Sequence, residues 1–454
     1  MDHNPKWAVS PGYEPVADAF VRLAPMLGRG GGSFSVLLHG APVVDIWGGT
    51  ARPGQPWEQD TLAVMFSATK GLAGICLMML VDRGQLDVDE LVTTYWPEFG
   101  QAGKERTTVR HVFQHTAGLI GLRDHAAIVD WEGNGYDRYD AIAAGLAATP
   151  PAWEPGTKQG YHAITYGWIV GELVRRIDGR TIGTFFREEV AEPLGLDTWI
   201  GTPAADMDRV AKVIDVGYHA VPRPLRSMVE TLLTALRDPN ALNGQAFLAD
   251  GTTSGVDHMA DLVNGKMLMA EFASGGGTTT ARSLARAFAV LGAGGTLDGR
   301  TYISADTMRR FDEMTSSYPD ELAREVARTK SQKKTADLPV PRIGPHLGNT
   351  TGRLDRPDMF GPNPRTMGAA GAGGQIVYFD RDTGLTVASL RSHMAIVDLA
   401  APALNEVVYA CAARNGDIDG AKVPKLALPK RLVRRPLHAY LRRLEAKSFT
   451  PPPG

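Results

Sequence analysis

Val64-Met65-Phe66-Ser67-Ala68-Thr69-Lys70-Gly71-Leu72 is the stretch on which the reading of this chain turns. It runs into Ala73-Gly74-Ile75-Cys76-Leu77-Met78-Met79-Leu80-Val81, an apolar, helix-like segment closed by Asp82-Arg83-Gly84. If that segment is a buried helix, Ser67 sits at its first turn and Lys70 lies one turn on, on the same face. The placement has a chemical use. A serine hydroxyl is a weak nucleophile that needs a base beside it, and a lysine is a base once burial leaves its amine neutral. The helix N-terminus adds free N–H groups and positive potential where an oxyanion would form.

Working outward, residues 13–27 carry an amphipathic helical pattern (Val16, Phe20, Leu23, Met26) ended by a glycine run. Two strand patterns follow, Ser33 to His39 and Val43 to Trp47, joined by Gly40-Ala41-Pro42 as in an antiparallel hairpin. Comparable patterns recur only much later, at Gln375 to Asp380 and Leu385 to Arg391, before a last helical stretch from about Ala395 to Arg414. The expected architecture is α/β (α+β): one antiparallel sheet built from N- and C-terminal hairpins, flanked by the terminal helices, with a large and mostly helical insertion. The expected units are 1–67 with 366–414 as the sheet domain, 68–365 as the insertion, and 415–454 as a basic tail. Helical pattern returns within the insertion near Arg223–Arg237, Leu284–Leu291 and Ala305–Phe311; residues 312–365, rich in Pro, Gly and charge, read as a long loop.

The chain has 454 residues, 43% of them hydrophobic and 22% charged, with a net charge of −2, which argues against nucleic acid as a partner. Its two cysteines include Cys76, inside the apolar helix, so no disulfide framework is expected. No apolar run approaches the ~20 residues of a membrane span, and the polar opening lacks a leader's apolar region, so a cytoplasmic protein is the expectation. The tail interleaves Lys422, Lys425, Lys430, Arg431, Arg434 and Arg435 with apolar residues. Such a segment contacts a membrane surface or packs as a basic arm on an acidic body, and the second reading is preferred. His111 and His115 have i,i+4 spacing suited to a metal, but no Glu follows the first His as a zinc protease needs. Packing or loop-pinning is the preferred role, and no metal is expected.

Taken together, these segments resemble the serine β-lactamase and penicillin-binding protein superfamily, and most closely its class C β-lactamase-like esterases, the family VIII carboxylesterases. Phe66-Ser67-Ala68-Thr69-Lys70-Gly71 is similar to the S-x-x-K nucleophile motif. Arg110-His111-Val112-Phe113-Gln114-His115-Thr116-Ala117-Gly118-Leu119 resembles a recurrent helix–turn segment of the group. Trp153-Glu154-Pro155-Gly156 and Tyr161-His162-Ala163 resemble the region of the catalytic Tyr, and Gly371-Ala372-Gly373-Gly374 the closing strand. The resemblance spans roughly residues 15–413 and implies an active site in a cleft between the two domains.

By that resemblance Ser67 is the nucleophile, Lys70 and Tyr161 share the base and acid roles, and the backbone N–H groups of Ser67 and Ala372 form the oxyanion hole. A phenol beside a buried ammonium is expected to be depressed enough to act as base. His162, Ala369, Gly371 and Gly373 are expected to meet substrate. Two departures bear on the substrate. The family's lactamases carry Tyr-x-Asn and Lys-Thr-Gly where this chain has Ala163 and Ala369-Ala370-Gly371. Losing that lysine removes a charge-assisted hydrogen bond to a substrate carboxylate, about 1.5–3 kcal/mol, unless Arg365 or Arg391 replaces it. The implied activity is hydrolysis of a short-acyl, small-molecule carboxylic ester through an acyl-enzyme, with no cofactor. A β-lactamase or D-Ala-D-Ala peptidase is the alternative, and a non-catalytic binding module a second. An α/β-hydrolase would need G-x-S-x-G, which no serine here has.

Overall fold

The computed structural model describes residues 6–23, 30–215, 230–231, 233–314, 318, 320–329, 360–363, 366–394 and 400–420. In chain order the elements used below are β1 (Lys6–Val9), α1 (Glu14–Leu23), β2 (Gly31–Leu38), β3 (Ala41–Arg52), α2 (Thr69–Asp82), α3 (Val109–Phe113), α4 (Thr165–Asp178), α5 (Ala281–Gly292), α6 (Glu321–Thr329), β4 (Met367–Gly371), β5 (Gln375–Asp380), β6 (Leu385–Arg391) and α7 (Ala400–Asn415). The main sheet has the order β1-β3-β2-β6-β5-β4, antiparallel throughout, with the two-residue strand Gln55–Pro56 pairing on β3. Its seam is the pairing of β2 with β6, where Phe34 faces Ser389 and Val36 faces Val387. Two hairpins separated by most of the chain thus make one sheet.

Strand alternation explains the layers around it. Ile376 and Tyr378, Leu385 and Val387, and Phe34 and Val36 belong to one apolar cluster with α1 and α7. Val377 and Phe379, and Ala388 and Leu390, belong to another with α2 and α5. This corrects the expected flanking arrangement. The terminal helices pack against each other, and the opposite face is covered by α5, which comes from inside the insertion. The cause is the two-sided apolarity of β5 and β6, each buried along its whole length. Fully burying one such side chain contributes about 1.5–3 kcal/mol, so neither face can stay open to water.

The insertion is mostly helical, as expected, with a small sheet of its own. Ala63–Val64, Gly277–Thr279 and Thr198–Ile200 form a small three-stranded sheet, and the supposed loop after residue 312 contains α6. Leu322 of α6 is buried with Ile120, Trp153, Ala163 and Ala246, which the surrounding polar sequence had concealed. The Lys6–Val9 strand, read as a polar opening, exists because it pairs with β3. Residues 24–27, most of 223–237, 330–359, Arg365 and the basic tail beyond residue 420, for which the sequence raises expectations, lie outside the described residues. Among the described residues no helix is long and apolar enough to cross a membrane.

α2 occupies the centre. Thr69 to Val81 are all buried, as expected of a helix apolar on every side. Close packing fixes its first turn: a Cβ added at Gly71 would lie 2.4 Å from Phe288 Cζ of α5 and 3.3 Å from the Ala369 methyl of β4.

Candidate active site

Ser67 lies in a 3₁₀ turn, Phe66–Ala68, that runs directly into α2. The residue before it is strained, since Phe66 has φ +46°, in the left-handed region. A non-glycine residue held there costs on the order of 1–3 kcal/mol and persists only where its surroundings over-determine it. Here they do. The Thr69 hydroxyl donates to the Phe66 carbonyl at 2.6 Å and accepts the Gly277 N–H at 3.0 Å. The Met65 N–H donates to the Gly277 carbonyl at 2.9 Å.

Lys70 has no exposed surface. Its Nζ lies 3.1 Å from Ser67 Oγ and donates to the Ser274 carbonyl at 2.7 Å. Burial holds its pKa well below the usual lysine range. A neutral amine with one N–H on the Ser274 carbonyl can turn its lone pair to the Ser67 O–H, the geometry a general base requires. Ser274 is itself fixed: its hydroxyl accepts the Gly167 N–H of α4 and donates to the Ile164 carbonyl, each at 2.6 Å.

Tyr161 completes the group. Its hydroxyl is hydrogen-bonded to Ser67, and Lys70 Nζ lies 5.0 Å from its ring centroid. The expected depression of its phenol is not what the structure gives. Burial pushes Tyr161 up, the Asp320 charge adds to this, and the bond to Ser67 only partly offsets it. The reason is that burial acts on both groups. Desolvation disfavours the ammonium as well as the phenolate, so the same burial lowers Lys70 and raises Tyr161.

The remaining expected residues divide. Gly371 ends β4 against the turn that carries Ser67, where a Cβ would fall 2.2 Å from the Met65 carbonyl oxygen, so this close approach needs glycine. Ala372–Gly374 then form a 3₁₀ turn, and Gly373 (φ +79°) lies against the Met394 backbone. Ala369 is 6% exposed with its methyl on α2, and Ala163, also 6% exposed, packs with Trp153 and Leu322. His162, expected to meet substrate, has no exposed surface. Its Nδ1 donates to the Gly160 carbonyl at 2.8 Å, its ring lies 5.3 Å from that of His115, and burial lowers its pKa to about 4, so it is neutral and enclosed. Arg391 is 2% exposed.

Sequence reasoning missed Ser274 and Asp320. The run Ala273-Ser274-Gly275-Gly276-Gly277 is a visible sign of close backbone approach, but nothing local says that it approaches Lys70. Asp320 is 2% exposed at the start of α6, where its carboxylate accepts the Leu322 and Ala323 N–H groups at 2.7 and 3.1 Å, and burial lifts it to about 6. Among the described residues no three His, Cys, Asp or Glu side chains group as metal ligands. His111 instead caps α3 with Thr108.

A buried lysine on a serine at the head of a central helix, beside an antiparallel sheet, defines a class, and comparison with known proteins agrees. Residues 16–398 match the beta-lactamase family, and the chain belongs to it. Over 308 residues it is 37% identical to Esterase/beta-lactamase LipL of Mycobacterium tuberculosis, covering 66% of this chain and 67% of LipL. Among solved structures it is similar to a penicillin-binding protein homologue from Caulobacter crescentus, at TM-score 0.71 and 30% identity over 90% of this chain and 100% of that one. The structure of a family VIII carboxylesterase matches with the same TM-score, identity and coverage. The protein is a serine hydrolase of β-lactamase fold.

Proposed function

We propose that this enzyme hydrolyses small carboxylic esters with short acyl groups through an acyl-enzyme on Ser67. The observation that carries the reading is the fully buried Lys70 amine 3.1 Å from Ser67 Oγ. Lys70 takes the Ser67 proton as Oγ bonds to the ester carbonyl carbon, and the N–H groups of Ser67 and Ala372 receive the oxyanion. On collapse of the tetrahedral species the C–O bond to the alcohol breaks. The proton now on Lys70 passes through the Tyr161 hydroxyl to the departing oxygen. Water then attacks the acyl carbon, giving its proton back along the same relay, and Ser67 is released with the carboxylic acid. Ammonium forms at Lys70 only during turnover, and only then does it lower the phenol beside it.

The relatives' names support an ester substrate, since LipL is an esterase as well as a β-lactamase by name and a structural neighbour is a carboxylesterase. The buried alanines at 369 and 163 support an uncharged substrate over a β-lactam or a peptide terminus. The strained Phe66 and desolvated Lys70 are costs that a non-catalytic binding module has no use for. The test is intact-mass measurement after a fluorophosphonate, with peptide mapping. One adduct on Ser67 is expected; an adduct on another serine, or none, refutes the mechanism.

A further inference from the structure

We propose that His115 is a positioning residue that orients Tyr161 by gripping the chain on both sides of it, an inference that rests on the acid–base role proposed above for Tyr161. His115 follows α3 and has no exposed surface. Its backbone carbonyl accepts the N–H of Gly160 at 3.0 Å, and its ring Nδ1 accepts the N–H of His162 at 3.1 Å. One residue therefore binds the amides immediately before and after Tyr161. An Nδ1 that accepts from an amide assigns the ring proton to Nε2 and requires the neutral imidazole.

The ring also forms part of the wall against which Tyr161 rests. Its centroid lies 5.3 Å from that of Tyr161 at a tilt of 49°, and it stacks on Tyr166 of α4 at 4.9 Å. His115 itself has φ +55°, in the left-handed region. A histidine held there is strained, and the turn after it explains how it is held. The Thr116 carbonyl accepts the Gly156 N–H at 2.9 Å and the Trp153 indole N–H at 3.2 Å. The turn and the 153–162 segment are thus tied at four points, two of them flanking Tyr161. The relay needs the Tyr161 hydroxyl on Ser67, and a misplacement of about 1 Å costs on the order of 10²-fold in rate.

The geometry suggests its own test. Asn tolerates the left-handed conformation and carries its amide oxygen close to the place of Nδ1, whereas Gln puts that oxygen nearer the place of Nε2. The full chain is assayed on p-nitrophenyl butyrate as wild type, His115→Asn, His115→Gln, His115→Ala, Tyr161→Phe and the double variant His115→Ala/Tyr161→Phe. His115→Asn is expected to keep kcat within about threefold of wild type, while Gln and Ala lose about tenfold or more with KM moved less than about twofold. The double variant is expected to be within about threefold of Tyr161→Phe, because a residue acting through Tyr161 has nothing left to act on. Gln as active as Asn, or losses that multiply in the double variant, overturns the inference. If His115→Ala fails to fold, the Asn–Gln comparison decides. A Tyr161→Phe enzyme at the wild-type rate refutes the Tyr161 role itself and removes this inference with it.

Discussion

Replacing Lys70 by Met separates its chemistry from its packing. Met keeps most of the length of the lysine stem and is apolar, so a helix buried from Thr69 to Val81 accepts it with little strain. Two effects on stability oppose each other. The Ser274 carbonyl loses its lysine donor, at about 1–3 kcal/mol, while a desolvated amine disappears. Neither effect prevents folding, and the net change depends on pH through the titration of the lysine. Activity falls much further, because losing a general base removes about 10²–10⁴ in rate, or about 3–5 kcal/mol of barrier. The pH dependence of stability carries the sharper number. Burial lowers the folded lysine's pKa well below 10.5, whereas the unfolded chain holds that proton up to its ordinary value. Between those limits the unfolded state binds one more proton, so wild-type stability rises with pH by about 1.4 kcal/mol per unit relative to Lys70→Met. Going down in pH, wild type loses against the variant until the folded lysine itself becomes protonated. Chemical denaturation of both proteins across alkaline to neutral pH reads this difference, and every other titrating group cancels. Parallel stability curves would mean that Lys70 is charged in the resting enzyme. A folded Lys70→Met protein within about tenfold of wild-type turnover would refute its role as base.

Tyr161→Phe keeps the ring and removes the proton carrier, so kcat on an aryl ester is expected to drop by about 10²–10⁴ with the unfolding midpoint nearly unchanged; a loss below about fivefold refutes the role. Gly371→Ala puts a methyl 2.2 Å from the Met65 carbonyl oxygen, and a backbone that must shift costs about 1–3 kcal/mol in stability together with most of the activity. Denaturant melts that match wild type would show that β4 does not press on the turn that carries Ser67. Short-chain p-nitrophenyl esters are expected to exceed a chromogenic cephalosporin in kcat/KM, because Ala369, which by resemblance stands in place of the family's lysine, is a buried methyl with no charge to offer a carboxylate. A cephalosporin favoured by about tenfold, roughly what one charge-assisted hydrogen bond supplies, reverses the substrate assignment.

By itself the sequence determined the parts of this protein whose signal is local. Ser67 and Lys70 were legible because a helix apolar on all sides can only be central, and three residues of spacing put both on one face. The strands Gln375–Asp380 and Leu385–Arg391 were legible to the residue, since β-branched runs bounded by Arg381-Asp382-Thr383-Gly384 leave no other reading. Tyr161 was reached through resemblance and not through its own pattern, as a single Tyr in a turn carries no periodicity. What tertiary structure decided is everything that depends on residues distant in sequence. The carbonyl that receives Lys70 belongs to Ser274, 204 positions away, and α5 crosses back to cover a sheet that the termini were expected to complete. The protonation states were decided there too. The same burial that lowers Lys70 raises Tyr161, which reverses the expectation of a depressed phenol. Desolvation is a property of the space around a group, and no short stretch of sequence encodes how completely the rest of the chain closes over it.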